Sequence, residues 1–269
     1  MDTLVSTLLP AWWLGNKWLA WGVGPILAAN LGTWPLGFFL NWYTRQPDVA
    51  PRLVAWKGGT GDRRADAALT NEKVPYISEQ ILGHRGAVSS VLGLNAIFGG
   101  VLSALLLDAR SGGRSEWPAL TASALAWQVV YMYVVGDFWL YWGHRVQHAV
   151  PSLYEKYHSV HHTLDTPSAL GAIYIHPVDA TLQASLPMFF AALQVQPHPL
   201  SFYAYVCYRI AENILNHGGL DGSFLDVVFL KFEWLGRAKT SHHDAHHKYG
   251  GRTSDKPMNL GEGFWVWDW

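Results

Sequence analysis

The chain has 269 residues, half of them hydrophobic and 14% charged, where soluble domains average about 25% charged. With 15 tryptophans and 12 tyrosines, this is the balance of a membrane protein whose aromatic side chains sit at the lipid interfaces. A formal net charge of -1 offers nothing to a polyphosphate backbone and excludes nucleic acid as a partner. The single cysteine, Cys207, excludes an internal disulfide, and its apolar surroundings predict a small buried hydrophobe.

In chain order, the first 17 residues place no basic group ahead of their apolar residues, so a cleaved signal peptide is not expected. Trp18 to Tyr43 contains no Asp, Glu, Lys or Arg and is long enough to cross a hydrocarbon core of about 30 Å, which makes it predicted span one. Pro25, Gly32 and Pro35 are tolerated there because neighbouring helices can re-satisfy the backbone. Arg45 to Arg85 is a polar connection with seven Lys or Arg residues, read as loop and short surface helix. Ala87 to Leu107 is the second uncharged run, and Pro118 to Tyr141 the third, interrupted only by Asp137. Ala180 to Val195 and Leu200 to Leu215 form a helical hairpin about QPHP. Each arm is short for a full span, hence re-entrant or lengthened by its flanks. Residues 216–269 are largely polar with a Trp-rich end and fall outside the bilayer. The predicted fold class is all-α: an integral membrane helical bundle of about four spans or hairpin helices with a cytosolic histidine-rich metal-binding cap. It divides into N-terminal spans and a cytosolic loop over 1–124 and a histidine-rich domain over 125–269. Because Lys and Arg concentrate on the cytoplasmic side, the basic 44–86 loop faces the cytosol, and the histidine clusters then emerge on that same face.

His144 and His148 are four apart, and His158, His161, His162 and His243, His246, His247 repeat an H-x-x-H-H spacing. On helices each set projects from one face. One histidine on an apolar face is more often a hydrogen-bonded core residue than a ligand, but three spaced sets are the pattern of a transition-metal site. Eight imidazoles exceed the needs of one four- to six-coordinate ion, so two ions are expected, with His176 and His217 as further ligands. Ten nitrogens would leave open positions for dioxygen or water. Asp137, two helical turns before His144, and Asp244 are expected to orient ligand imidazoles; Asp179 either does the same or is solvated. His242 points about 100° away from His243 around a helix. It is left out, as are His84 in the basic loop and His198 in the hairpin turn. Imidazole accepts zinc, copper, nickel and iron, so the ligands alone leave the metal open.

The pattern H-x-x-x-H, H-x-x-H-H, H-x-x-H-H behind DFWLYWGHR, over roughly 125–269, resembles the fatty acid hydroxylase and sterol desaturase superfamily. That resemblance implies a non-haem di-iron centre on the cytoplasmic face of a four-helix membrane protein. It carries the ligand role to His144, His148, His158, His161, His162, His243, His246 and His247, and less directly to His176 and His217. IHPVDATLQASLP and NLGEGFWVWD are similar to segments of sterol C-5 desaturases, while the NHGG and SHHDAHH regions are similar to C-4 methylsterol oxidases. The family usually continues past the point where this chain stops at WDW, so a truncated C-terminus is expected.

The function expected from this resemblance is O2-dependent desaturation or hydroxylation of a lipid, foremost a sterol in a C-5 desaturase-like reaction. C-4 methylsterol oxidation and fatty acid or sphingolipid hydroxylation are the alternatives. No dinucleotide fingerprint or haem-domain stretch is present, so electrons are expected from an external NAD(P)H-linked donor such as cytochrome b5, with the protein in the endoplasmic reticulum. A metal transporter would need its ligands near the bilayer midplane, and a noncatalytic lipid-binding protein would not need intact histidine sets.

Overall fold

The computed structural model describes residues 8–49, 53–54, 57, 93–114, 116–164, 166–250 and 258–269. Regular structure among them is helical, with no β-strand and two isolated bridges, Leu53 with Leu220 and Arg237 with Phe264. The all-α expectation is met. Helix α1 (Gly24–Tyr43) continues from a π-helical turn, Trp18–Val23. Together they form the 26-residue stretch Trp18–Tyr43, the one helix among the described residues that is long and apolar enough to cross a membrane. Of the predicted second run, the described part is helix α2 (Leu94–Ser111), closed by Gly112 at φ 76°, where glycine adopts the left-handed conformation without a Cβ penalty. His84 lies outside the described residues.

The third apolar run belongs to a longer helix. Helix α3 (Ala122–Ala149) starts on Thr121, whose side chain accepts from the Ala124 N–H, and runs 28 residues without a break, which carries it past the apolar run to His144 and His148. The hairpin forms as expected from helix α4 (Leu186–Val195) and helix α5 (Pro199–Asn216). Its first arm is lengthened by its flank, Pro177–Ala180 and a π-turn, Thr181–Ser185. His198 caps α5, its Nδ1 accepting from the Leu200 N–H at 3.1 Å, with Pro199 at the first helical position. α3 thus runs toward the histidine end of the bundle, α4 leaves it and α5 returns, while His198 sits at the far end with its ring edge-on to Trp117.

Helix α5 packs between α1 and α3, α4 packs on α3, and α2 packs on the Trp18–Val23 turn. Gly32 of α1 lies so close to the Cys207 carbonyl of α5 that a Cβ would collide with it. Trp21, Met132, Phe189, Phe202 and Tyr205 fill one core cluster, and Leu40, Leu170, Ile173, Ile214 and Leu215 fill a second beside the histidines. Cys207 is half-buried at the edge of the first cluster, less enclosed than expected. Large apolar side chains nevertheless face outward: Leu27, Leu31, Phe38 and Trp42 on α1, Ile97, Phe98 and Val101 on α2, and Trp127, Val130, Trp139 and Trp142 on α3.

Candidate metal centre

Nine buried histidines meet at one end of the bundle and sort into two groups whose ligand atoms lie within 4.8 Å of one another. The first is His144, His148, His158, His162 and His246; the second is His161, His217, His243 and His247. The end of α3 supplies His144 and His148, and the end of α5 supplies His217. A π-turn, Tyr154–His158, leads into the short helix Ser159–His161, and helix α6 (Thr240–Ala245) leads into a π-turn, His246–Gly250. The wider π geometry rotates the side chains relative to an α-helix, and such turns concentrate at functional sites.

Outer contacts determine which nitrogen faces inward. The Nδ1 atoms of His144, His161, His217, His246 and His247 lie 2.8–3.2 Å from the carbonyls of Leu260, Tyr174, Asn213, Met258 and Leu164. A carbonyl can only accept, so each of these Nδ1 atoms donates, and in a neutral ring Nε2 is left with a bare lone pair. Burial, reinforced by neighbouring imidazoles, holds His217, His243, His246 and His247 well below the usual imidazole range, so the rings are neutral. His158 directs its Nδ1 to the buried Asp179 carboxylate at 2.8 Å.

The inward Nε2 atoms crowd together. His217 Nε2 stands 3.2 Å from His161 Nε2 and 3.1 Å from His247 Nε2, and all three rings have committed their N–H groups outward. In the other group the spacings are 3.2 Å for His148 to His144, 3.0 Å for His158 to His148, 3.0 Å for His162 to His158 and 3.1 Å for His246 to His162. Among His161, His217 and His247, bare lone pairs facing each other at these distances repel unless a cation lies among them. With metal–nitrogen bonds of about 2.1 Å, ligands at 90° to the tetrahedral angle would stand about 3.0 to 3.4 Å apart, so the donor sets fit metal ions.

Other expected residues are placed differently. His176 joins neither group; it caps the Pro177–Ala180 turn, its Nδ1 accepting from the Val178 N–H at 3.1 Å, and its ring lies against Tyr157. Asp137 does not orient an imidazole. Its carboxylate accepts from the Gly263 and Phe264 N–H groups and the Trp267 indole at 2.9–3.1 Å, tying the C-terminal segment to α3. Asp244 pairs with Lys57, whose Nζ also donates to the His217 carbonyl at 2.8 Å, so both act on the backbone behind a cluster histidine. Lys57 was not singled out from the sequence, because a lysine in a polar loop carries no local signal of burial. Asp179, weighed only as a possibility, is the carboxylate that does meet a cluster imidazole. His242 stays outside both groups and pairs with Asp268.

An apolar cavity reaches this centre. Two adjoining spaces of about 100 and 70 Å³ share Asn95, Ala184, Met188 and Ile210; the outer is lined by α1, α2, α4 and α5, and the inner includes His161. A family profile described as fatty acid hydroxylase matches residues 129–269, just over half of the chain, and spans both histidine groups. The chain belongs to the fatty acid hydroxylase family. Within it, the chain is similar to Methylsterol monooxygenase 2-2 of Arabidopsis thaliana, 30% identical over 158 residues that cover 59% of this chain and 56% of the relative. It is similar to the C-4 methylsterol oxidase of Schizosaccharomyces pombe, 28% identical over 134 residues, covering 48% and 43%. A very-long-chain aldehyde decarbonylase of Oryza sativa subsp. indica is 29% identical over 144 residues, covering 53% and 52%. The chain therefore spans about half the length of the curated relatives it matches, and no solved structure matches it significantly.

Proposed function

We propose that the protein is a membrane-embedded oxidoreductase that holds two iron ions, uses O2, and oxidises a lipid, foremost a sterol. The observation that carries this reading is the convergence of nine imidazoles in two adjoining groups, with bare Nε2 atoms of His161, His217 and His247 facing one another, beside an apolar cavity. His144, His148, His158, His162 and His246 would hold one ion, and His161, His217, His243 and His247 the other. Iron bound there would supply the one-electron and dioxygen chemistry that protein side chains lack. The chain's own residues set the tautomers of six imidazoles, with Asp179 behind His158 and backbone carbonyls behind His144, His161, His217, His246 and His247, while Lys57 and Asp244 brace the backbone at His217. Its apolar cavity excludes water and presents a hydrocarbon to the four-histidine group, which has fewer ligands and contains His161. The outward apolar faces of α1, α2 and α3 support a bilayer setting, since a contiguous apolar surface of that kind is costly in water. Electrons would come from an external NAD(P)H-linked donor such as cytochrome b5, reaching histidines that face the cytosol from the endoplasmic reticulum.

The relatives named as methylsterol monooxygenase and C-4 methylsterol oxidase favour insertion of oxygen at a methyl group. A second reading, C-5 desaturation, is favoured by the segments IHPVDATLQASLP and NLGEGFWVWD. Purified full-length protein should contain two metal ions per chain, and a deletion strain should accumulate the lipid it consumes. An accumulated 4-methylsterol supports the first reading, and a sterol lacking one ring double bond supports the second. One ion or fewer at saturating iron, with an unchanged lipid profile, would overturn both.

A further inference from the structure

Between α5 and α6 the chain passes through a short helix, Phe224–Val228, and a 3-10 turn, Glu233–Leu235. Burial along this stretch is inverted. Phe224, Val227, Val228, Leu230, Trp234 and Leu235 face outward, Trp234 with 81% of its surface exposed, while Lys231 is buried against Glu212 and Asp226 turns back to accept from the Gly222 N–H. Glu233, the one charged side chain fully exposed between Phe224 and Leu235, is paired with Lys239 at 2.9 Å. A segment facing water turns its charges out and its large apolar groups in. A contiguous apolar surface of the opposite kind marks a contact with lipid or with another protein.

The packing of the segment decides between these two. It lies beside the bundle and not beyond its end: the Phe229 carbonyl accepts from the Tyr208 hydroxyl at 2.9 Å, and Lys231 and Arg237 both reach Glu212. Tyr208 and Glu212 precede His217 by nine and five residues, about 14 and 8 Å back along a helix axis. Leu225 and Phe229 pack into the cluster of Leu40, Ile214 and Leu215, with Trp34, Leu36 and Phe39 of α1 at its edge. The outward side of the segment therefore adjoins the outward side of α1, where Phe38 and Trp42 are exposed. A soluble partner that docks transiently is steered and held in register by charge, and the one exposed charge here is already paired. A lipid surface needs only the apolar area.

We propose that Phe224–Leu235 is a membrane-seated element whose outward apolar side chains enter the leaflet beside α1. This rests on reading the outward faces of α1, α2 and α3 as lipid-facing. The sequence places all of 216–269 outside the bilayer because Asp226, Lys231 and Glu233 interrupt this stretch, whereas packing turns Lys231 inward and pairs Glu233. Since the segment joins His217 to the His243 set, its seat in the leaflet holds the second histidine group close to the bilayer surface.

The test is site-directed fluorescence quenching of full-length protein in phosphatidylcholine nanodiscs. In a Cys207→Ala background, which removes the only native cysteine, a nitrobenzoxadiazole fluorophore is attached at Val227→Cys and, as a second position, Val228→Cys. Leu31→Cys on α1 and Glu116→Cys in the exposed connection between α2 and α3 serve as references. Phosphatidylcholine bearing a nitroxide on its acyl chain should quench the label at positions 227 and 228 to within about twofold of that at position 31, and far more than at position 116. Aqueous iodide should show the reverse order. Iodide quenching at 227 and 228 equal to that at 116 would overturn the proposal. So would shelter from both quenchers, the result expected if a protein partner or a second copy covers this face. Either result, with lipid quenching intact at position 31, leaves the membrane reading of the bundle standing; loss of lipid quenching at position 31 as well would overturn that reading too.

Discussion

At the residue scale, the second histidine group is marked by like lone pairs pointing at one another, those of His161, His217 and His247. His217 is central to the second group, with its Nε2 facing both His161 and His247. His217→Ala should lower the metal content by about one ion per chain, whereas His176→Ala should leave it unchanged, both measured by mass spectrometry of purified protein. Equal losses in the two variants would show that His176 is a ligand after all. A parallel contrast separates two carboxylates. Asp179→Asn removes the acceptor behind His158 and should weaken metal affinity roughly 10- to 100-fold, the usual range for such partners. Asp137→Asn acts on the C-terminal segment instead, through the Gly263, Phe264 and Trp267 donors. It should cost about 1 to 3 kcal/mol of stability and speed amide exchange over 258–269, and because the Leu260 and Met258 carbonyls stand behind His144 and His246 it should weaken metal affinity as well, by less than Asp179→Asn does.

At the element scale, a bundle of helices that ends in imidazoles needs something to close it. One closure is the C-terminal segment, whose Leu260 and Met258 carbonyls hold His144 and His246. Another is the chain around Lys57, which enters beside Leu220 and places a buried ammonium on Asp244 and the His217 carbonyl. Burial depresses the Lys57 pKa and Asp244 opposes that shift, so the pair stands as two mutually dependent buried charges. Removing one partner of such a pair typically costs about 3 to 5 kcal/mol. Lys57→Met should therefore lower the thermal unfolding midpoint of the metal-free protein, and the double variant Lys57→Met with Asp244→Leu should recover part of the loss. A single variant as stable as wild type would show that Lys57 does not anchor this segment.

At the scale of the whole molecule, the histidines couple stability to pH. Burial holds His158, His162, His217, His243, His246 and His247 well below the ordinary imidazole pKa. Unfolding returns each to about 6.5. Below that pH the unfolded chain binds protons that the folded chain refuses, so stability falls as pH drops and is fully present above it. Each such group contributes a slope of up to about 1.4 kcal/mol per pH unit. The metal-free protein should lose thermal stability steeply between pH 7 and pH 5, and added iron should oppose the loss by competing for the same lone pairs. A flat melting temperature across that range would show that these rings are not held neutral.

Helical periodicity is local, so the histidine sets were legible before any folding: i, i+3 and i+4 positions share a face whatever packs against it. Composition similarly announced the helical class, the Trp18–Tyr43 stretch and the hairpin about QPHP. Tertiary packing alone decided the rest. Residues as far apart as His144 and Leu260, or His217 and Lys57, meet only because α3, α5 and the C-terminal segment end together. The same limit explains why Asp137 looked like a partner for His144: spacing along one helix states which face a carboxylate occupies, but not that residues 263–267 would cover it. It also explains His176, whose neighbourhood in sequence suggested a ligand, while the Val178 N–H claimed its nitrogen as a helix cap. Which nitrogen of each imidazole turns inward, and hence where a cation fits, depends on carbonyls from other segments, and no periodicity in the chain encodes those.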